Sequence, residues 1–432
     1  MLTSLRLVNF KNFADETLKL GPFTVIVGAN ASGKSNIRDA FRFLHGIGRG
    51  YTLADILGGK YGPGGQREWD QIRGAPKEVG RLDPEFNLPP STFSLSAGID
   101  RVDGERSVYS ISIWFDPFGP QGFRITEESL ISDARTIFAS ASSEDPFWMR
   151  LRFGEDITQQ PPGRISSLQP ALSQFFQIYK SMYRDFVTDP GIMQALQNMS
   201  FLELAPERMR EPSIPGATTL GDYGQNLPSV LESICADADR KQTLLSWFEE
   251  LTPMDVAGFG FPRDPSGRVH LQIVERNGRK VSAYSASDGT LRFLGILAVL
   301  LNEDAGGTYF FEEIDNGIHP NRLWLLLELI ERQTAKGNIQ VITTTHNPAL
   351  LAWMNDETFE NTSVVYRDEY WSDSVIRPIA GLYNLRELRK SHGMEGLLTE
   401  GWLETAMKFS EGDYDTDHLD DDDEDDWGME EE

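Results

Sequence analysis

At 432 residues, with 40% hydrophobic and 25% charged residues, the chain is longer than one core usually supports and has enough apolar content to fill two lobes. Its single cysteine, Cys235, excludes an internal disulfide or a cysteine zinc site, and is read as a small core residue in a reducing compartment; no run of about 18 apolar residues offers a membrane span. The net charge of −26 is concentrated, since 14 Asp and Glu fall within residues 411–432 and leave 52 acids against 40 bases elsewhere, so charge alone gives no warrant for nucleic-acid binding.

The first twelve residues lack the charged and apolar regions of a signal peptide, so a cytoplasmic protein with no membrane partner is expected. Residues 2–20 read as a hairpin: Leu5, Leu7 and Phe10 alternate, a polar turn is expected over 11–16, and Leu18 and Leu20 resume the pattern. The run Phe23–Val27, β-branched or aromatic throughout, reads as a buried strand. It feeds Gly28-Ala-Asn30-Ala-Ser32-Gly33-Lys34-Ser35-Asn36, a G-x-x-x-x-G-K-S phosphate-binding loop. Glycines at both ends let backbone N–H groups curl around phosphate oxygens, Lys34 can reach the β- and γ-phosphates, and the Ser35 hydroxyl suits Mg²⁺. Ile37, Ala40, Phe41 and Leu44 then follow helical spacing, with Gly46 read as the stop. Strand, loop and helix in this order point to an ATP site.

Residues 46–80 are dense in Gly and Pro and read as a long loop with little structure of its own. From 92 to 115 the pattern is β, with Tyr109, Ile111, Ile113 and Phe115 on one face, and a second β run is read at 123–126. Leu172, Phe175, Phe176, Tyr179, Met182, Tyr183 and Phe186 predict a helix over 166–187 with an aromatic stripe. Residues 203–226 mark the return to the ATPase lobe, and 271–274 a strand turning at Asn277-Gly278. The resulting division is 1–125 as an N-terminal ATPase lobe, 126–201 as a helical insertion, 202–390 as a C-terminal ATPase lobe and 391–432 as an extension with an acidic tail.

Three further stretches carry chemistry. Ser287-Asp288-Gly289-Thr290 opens an apolar helix, a start that can bind an anion or serve only as an ordinary cap. The apolar strand 308–311 ends in Glu312 and Glu313, placing Glu312 to hold Mg²⁺ through water and Glu313 to polarise an attacking water, or marking only a solvated loop. The strand 340–344 ends at Thr345-His346-Asn347-Pro348, where ligands of open α/β sheets bind, so His346 can contact a γ-phosphate.

Glu312-Glu313-Ile-Asp315-Asn-Gly-Ile-His-Pro320 resembles the Walker B and D-loop of the ABC-type ATPases of the SMC, RecF and OLD group, whose usual form is D/E-E-P-E-N-G-L-H-P. Ser287-Asp-Gly289-Thr is similar to their signature motif, His346 to their switch histidine, and 5–13 to the opening that lies near the adenine. Glu312 replaces the commoner aspartate and Ile314-Asp315 replaces Pro-Glu; no Q-loop glutamine is evident. The resemblance implies an α/β, ABC-type P-loop head with a mixed sheet, an antiparallel β subdomain and a helical insertion. It implies catalytic roles for Glu313 and His346, and a homodimer or higher oligomer that closes head to tail on ATP and Mg²⁺, Ser287 and Gly289 of one chain facing the phosphate loop of the other. Some 150 residues stand where SMC proteins have their long coiled coil, so the chain resembles compact ATPases of bacterial DNA repair and phage defence. The 86 residues after His346 show no Toprim-like E…D-x-D set, so an effector, such as a nuclease, is expected to be a separate polypeptide. A transporter nucleotide-binding subunit and a non-hydrolysing scaffold remain alternatives, as does direct DNA binding by the switch.

The acidic stretch 411–432 is too polar to fold alone and is expected to be disordered. Asp413, Asp415, Asp417 and Glu424 match calcium-loop spacing, but His418 stands where glycine must turn the chain, so a calcium site is rejected.

Overall fold

The computed structural model describes residues 1–82, 92–101, 104–115, 122–154, 164–178, 190–302, 306–367, 373–382 and 385. At its centre a six-stranded sheet runs Met199–Leu202, Gly307–Phe311, Ile339–Thr345, Phe23–Val27, Ser363–Arg367 and Ser374–Pro378; the first five are parallel and the last antiparallel. Every residue of Phe23–Val27 and Ile339–Thr345 is buried, as parallel strands covered on both faces require.

The strand pleat divides these residues between two cores. Phe23, Val25, Val27, Tyr309, Phe311, Val341 and Val364 enter one core with the helices Leu227–Cys235, Ala238–Leu251, Asp288–Leu300 and Pro320–Thr334. Ile26, Phe310, Ile342 and Val365 enter the other, beneath helix Lys34–Gly48 and the second large sheet. That second sheet has eight antiparallel strands in the order Arg164–Ser166, Trp148–Phe153, Arg135–Ser142, Phe123–Ser132, Arg106–Phe115, Thr92–Asp100, Leu2–Phe10 and Phe13–Lys19.

Several sequence expectations change. The hairpin turn is only Lys11-Asn12, because Phe10 pairs with Phe13 and Lys11 adopts φ 53. Gly46 lies inside its helix, which ends at Gly48: a Cβ at Gly46 would sit 2.6 Å from Ile56 Cγ1, so the glycine serves close packing rather than termination. Residues 46–80 contain helix Leu53–Gly58, closed by a Thr52/Asp55 capping box, a two-stranded ribbon (Lys60–Tyr61 with Arg67–Trp69) and the turn Pro76–Glu78, with Leu53, Ile56, Trp69, Ile72 and Val79 buried.

Among its described residues, the stretch 126–201 is not mainly helical. Its first part completes Phe123–Ser132 and adds three more antiparallel strands, because alternation such as Met149, Leu151 and Phe153 inward against exposed Trp148, Arg150 and Arg152 has period two. Helices there are Ala171–Ile178 and Pro190–Gln197; the stripe from Tyr179 to Phe186 lies outside the described residues, as does the acidic tail. Its last strand, Met199–Leu202, joins the parallel sheet beside Gly307–Phe311. No helix among the described residues is long and apolar enough to cross a membrane.

Candidate nucleotide site

Parallel register brings the predicted elements together. Val27 pairs with Thr345, Thr343 with Phe311 and Phe311 with Leu202, so the chain leaves the sheet at one edge as Gly28, His346, Glu312 and Glu203. A cavity of about 650 Å³ at this carboxyl edge is lined by Asn30, Gly33, Lys34, Ser35, Asn36, Glu312 and Glu313, together with Asn12, Glu203, Thr344 and Arg367.

The loop's glycines are sterically required. A Cβ on Gly28 would lie 2.3 Å from Val365 O, and Gly33 has φ 116 with Ser374 Oγ 2.6 Å from its would-be Cβ. Helix Lys34–Gly48 begins at Gly33 without a side-chain cap, so its first N–H groups face the cavity unfilled by the protein's own side chains. Lys34 Nζ donates to Gly28 O at 2.6 Å and Ala29 O at 2.7 Å; burial lowers its pKa, opposed by the charge of Glu313. Ser32 is buried behind the loop, with its Oγ lacking a hydrogen-bond partner. The hairpin turn braces this arrangement: Asn36 Nδ2 donates to Asn12 Oδ1 at 2.7 Å, Asn12 Nδ2 donates to Ser374 Oγ, and Ser374 Oγ donates to Ser32 O.

Opposite stands the acidic strand end. Glu313 takes the left-handed conformation, φ 49, rare for a side-chain-bearing residue, and its N–H donates to Thr344 Oγ1 at 3.2 Å. Its carboxylate lies 3.9 Å from His346 Nδ1 and accepts from Asn316 Nδ2 at 3.4 Å. His346 is half exposed and does not line the cavity itself. Asp315 is buried with Oδ1 unpartnered; burial pushes its carboxyl pKa up, against the opposing pull of Thr345 and His346. Glu312 faces Arg73 Nη2, which donates to both its oxygens at 2.9 and 3.2 Å, and Arg38 Nη1 at 3.5 Å.

The signature turn stands at the margin of this cavity, which Asp288 and Arg292 also line. Ser287 caps helix Asp288–Leu300 by accepting from Thr290 N at 3.2 Å, and Arg210 Nη2 donates to Asp288 Oδ1 at 2.6 Å. Ser287 and Gly289 line a separate depression of about 510 Å³ with Gly317, His319 and Arg322. Gly289 packs so closely on the D-loop that a Cβ would meet Gly317 O at 2.3 Å. Within one chain, Ser287 and Gly289 therefore face the neighbouring depression, whereas Asp288 between them lines the cavity of Lys34.

Residues missed by sequence reasoning include Arg38, Arg73, Glu203 and Arg367. Arg38 sits one turn after Lys34 on the same helix and was open to recognition; Glu203 ends an apolar run too short to stand out; nothing local marks Arg73. The donor set fits Mg²⁺ entering with a nucleotide: Ser35 and Glu312 offer hard oxygens, and the described residues contain no cluster of three or more His, Cys, Asp or Glu able to cage an ion alone.

Comparison with known proteins agrees with this architecture. The SMC head bound to the C-winged helix domain of ScpA superposes with a TM-score of 0.50 at 14% identity, covering 87% of this chain and 96% of that one, a likeness of fold. The Pyrococcus furiosus Smc head with an extended coiled coil, bound to the C-terminal domain of ScpA, gives 0.45 at 13% identity, covering 96% and 99%. Over 64 residues the chain is 44% identical to the chromosome partition protein Smc of Rhodopirellula baltica, a match that spans 13% of this chain and only 5% of that relative. A family model described as AAA domain, putative AbiEii toxin, Type IV TA system, matches residues 23–352, well over half of the sequence. The chain thus belongs to that AAA-domain family, and its fold is similar to that of the SMC head.

Proposed function

We propose that the protein is an ATP-hydrolysing switch that closes head to tail on nucleotide and passes its state to a separate effector or to DNA. The observation that supports this reading is that Lys34, Ser35, Glu312 and Glu313 line one cavity, together with Asp288 and Arg292, whereas Ser287 and Gly289 line a neighbouring depression. In this reading a second copy brings its Ser287 and Gly289 to the nucleotide.

In this reading the N–H groups at the start of Lys34–Gly48 and the Lys34 ammonium bind the β- and γ-phosphates. Ser35 and Glu312 would hold Mg²⁺, which supplies charge neutralisation at the phosphates. Glu313 accepts a proton from, or orients, the attacking water; His346, 3.9 Å from that carboxylate, steadies it and donates towards the γ-phosphate. The capped turn at Ser287 presents helix N–H groups to the partner's γ-phosphate, so closure and phosphate presence depend on each other. Hydrolysis removes the group that joins the two chains, and the pair opens.

The effector is proposed to be another polypeptide, in keeping with the SMC heads solved in complex with domains of ScpA. The family description, which names a putative toxin of a type IV system, accords with a role in anti-phage defence; DNA repair is the second setting. Glu313→Gln protein mixed with ATP and Mg²⁺ and run on size exclusion with light scattering should elute as a dimer, and as a monomer without nucleotide. A Glu313→Gln protein that binds ATP yet stays monomeric would remove the head-to-tail model.

A further inference from the structure

Glu312 is already engaged by two cations. Arg73 Nη2 donates to both carboxylate oxygens, at 2.9 and 3.2 Å, and Arg38 Nη1 stands 3.5 Å from Oε1, with Arg38 Nη2 3.8 Å from Glu203. The two guanidiniums are not equivalent. Arg38 is buried on the phosphate-loop helix, with 6% of its side chain exposed and its Nε unpartnered, so it has no route to water. Arg73 is 47% exposed and belongs to the outer segment between the ribbon strand Arg67–Trp69 and the turn Pro76–Glu78.

That segment is held at its start, where Arg42 Nη2 donates to Asp70 O at 3.0 Å and Ile72 is buried, and from the hairpin turn, where Lys11 Nζ, salt-bridged to Asp39, donates to Arg73 O at 2.7 Å. Immediately after it, Gly74 has φ 89 and Ala75 N donates to Glu78 Oε2 at 2.9 Å, which closes the next turn on itself. Arg73 therefore reaches inward as a single long arm from a locally closed loop. A half-exposed guanidinium leaves a carboxylate at little cost, because water and screening replace most of what it loses. A divalent cation requires the same carboxylate lone pairs and repels a guanidinium placed on them.

We propose that Arg73 is a displaceable stand-in for the metal: it occupies both oxygens of Glu312 in the empty site and is expelled when a divalent cation enters with nucleotide. This rests on reading Glu312 as a metal-holding carboxylate. Arg38 stays, holding the carboxylate's orientation. Expulsion of Arg73 loosens residues 70–78, so the outer segment reports whether the site holds metal.

The test uses the full chain, Mn²⁺ as the probe and a non-hydrolysable ATP analogue, with bound metal followed by electron paramagnetic resonance. Arg73→Ala should bind Mn²⁺ roughly two- to fivefold more tightly than the parent, the worth of a partly screened ion pair. Arg73→Lys, a point charge without the planar fork, should fall between them. A gain in affinity cannot come from misfolding. In parallel, amide exchange over 70–78 should accelerate in the parent when Mg²⁺ and nucleotide are added, and should already be fast in Arg73→Ala. Equal Mn²⁺ affinity in Arg73→Ala and parent, with Glu312→Gln weakened, would overturn the stand-in role while leaving the metal reading intact. Unchanged affinity in Glu312→Gln would overturn both.

Discussion

Glu313 holds a conformation that few side-chain-bearing residues adopt, and the cost of its positive φ is met by the Thr344 bond to its N–H and by the Asn316 turn that follows. Such placement is useful only if the carboxylate must stand at one point, which is the requirement for a water-polarising group. Glu313→Gln keeps shape and donor pattern but loses the charge, so turnover should fall by roughly 10²–10⁴ while nucleotide affinity changes little; steady-state phosphate release and equilibrium nucleotide titration measure the two separately. Unchanged turnover would move the base to another residue. Lys34 gives the converse case. Its ammonium is held by two loop carbonyls and its pKa is lowered by burial, so it is preorganised beside the helix start. Lys34→Ala should weaken ATP binding by roughly 10- to 100-fold, the worth of a charge-assisted contact, and equal affinity in the two proteins would refute the assignment.

At the scale of elements, the antiparallel sheet is joined to helix Ala171–Ile178 through buried side chains: Gln174 of the helix accepts from Ser166 N at 3.1 Å and donates to Ser166 O at 2.9 Å, and Glu128 of the sheet reaches the helix start. Glu128 lies on Phe123–Ser132, accepts from Ala171 N at 2.5 Å, Leu172 N at 2.8 Å and Tyr109 OH at 2.9 Å, and so caps a helix from another element. Burial pushes its carboxyl up to about 7 against the downward pull of those donors. A folded pKa above the unfolded 4.5 means that the proton favours the folded state, so this contribution is present below about 4.5 and is lost as pH rises through about 7. From pH 5 to pH 8 the parent should lose up to about 3 kcal/mol relative to Glu128→Gln in urea unfolding; a difference that stays flat with pH would show that Glu128 titrates alike in both states. The same junction shows what sequence could and could not reveal. Phe23–Val27, the phosphate loop and its helix were legible because strand burial, glycine geometry and helical spacing are all local. The strands after 126 were harder, since alternation such as that of Trp148–Phe153 is short and broken by turns, and the Glu128 cap depends on a pairing 43 residues apart in sequence. Arg73 at Glu312 was illegible for the same reason, lying 239 positions away.

At the scale of the whole molecule, the parallel sheet takes strands from both chain ends, and each of its faces belongs to a different core, so the phosphate loop and the acidic strand end are held rigidly with respect to one another. The signature turn is fixed just as firmly, through the close contact of Gly289 with Gly317, but it opens into its own depression and leaves Ser287 exposed. On the head-to-tail reading proposed above, Ser287 and Gly289 of one copy meet the phosphate loop of the other across a two-fold axis. Ser287→Arg places a long side chain in the space intended for the partner's phosphate, so it should bind ATP nearly as the parent does but neither dimerise nor hydrolyse. Lys34→Ala should fail for the opposite reason, with an intact turn and a defective loop. Mixed in equal amounts, the two should recover at most about half of parent turnover, because each mixed dimer carries one sound composite site of two. Turnover in the mixture no higher than in either variant alone would mean that loop and turn do not complement each other in trans, and parent-level turnover by Ser287→Arg alone would mean that the turn takes no part in the site.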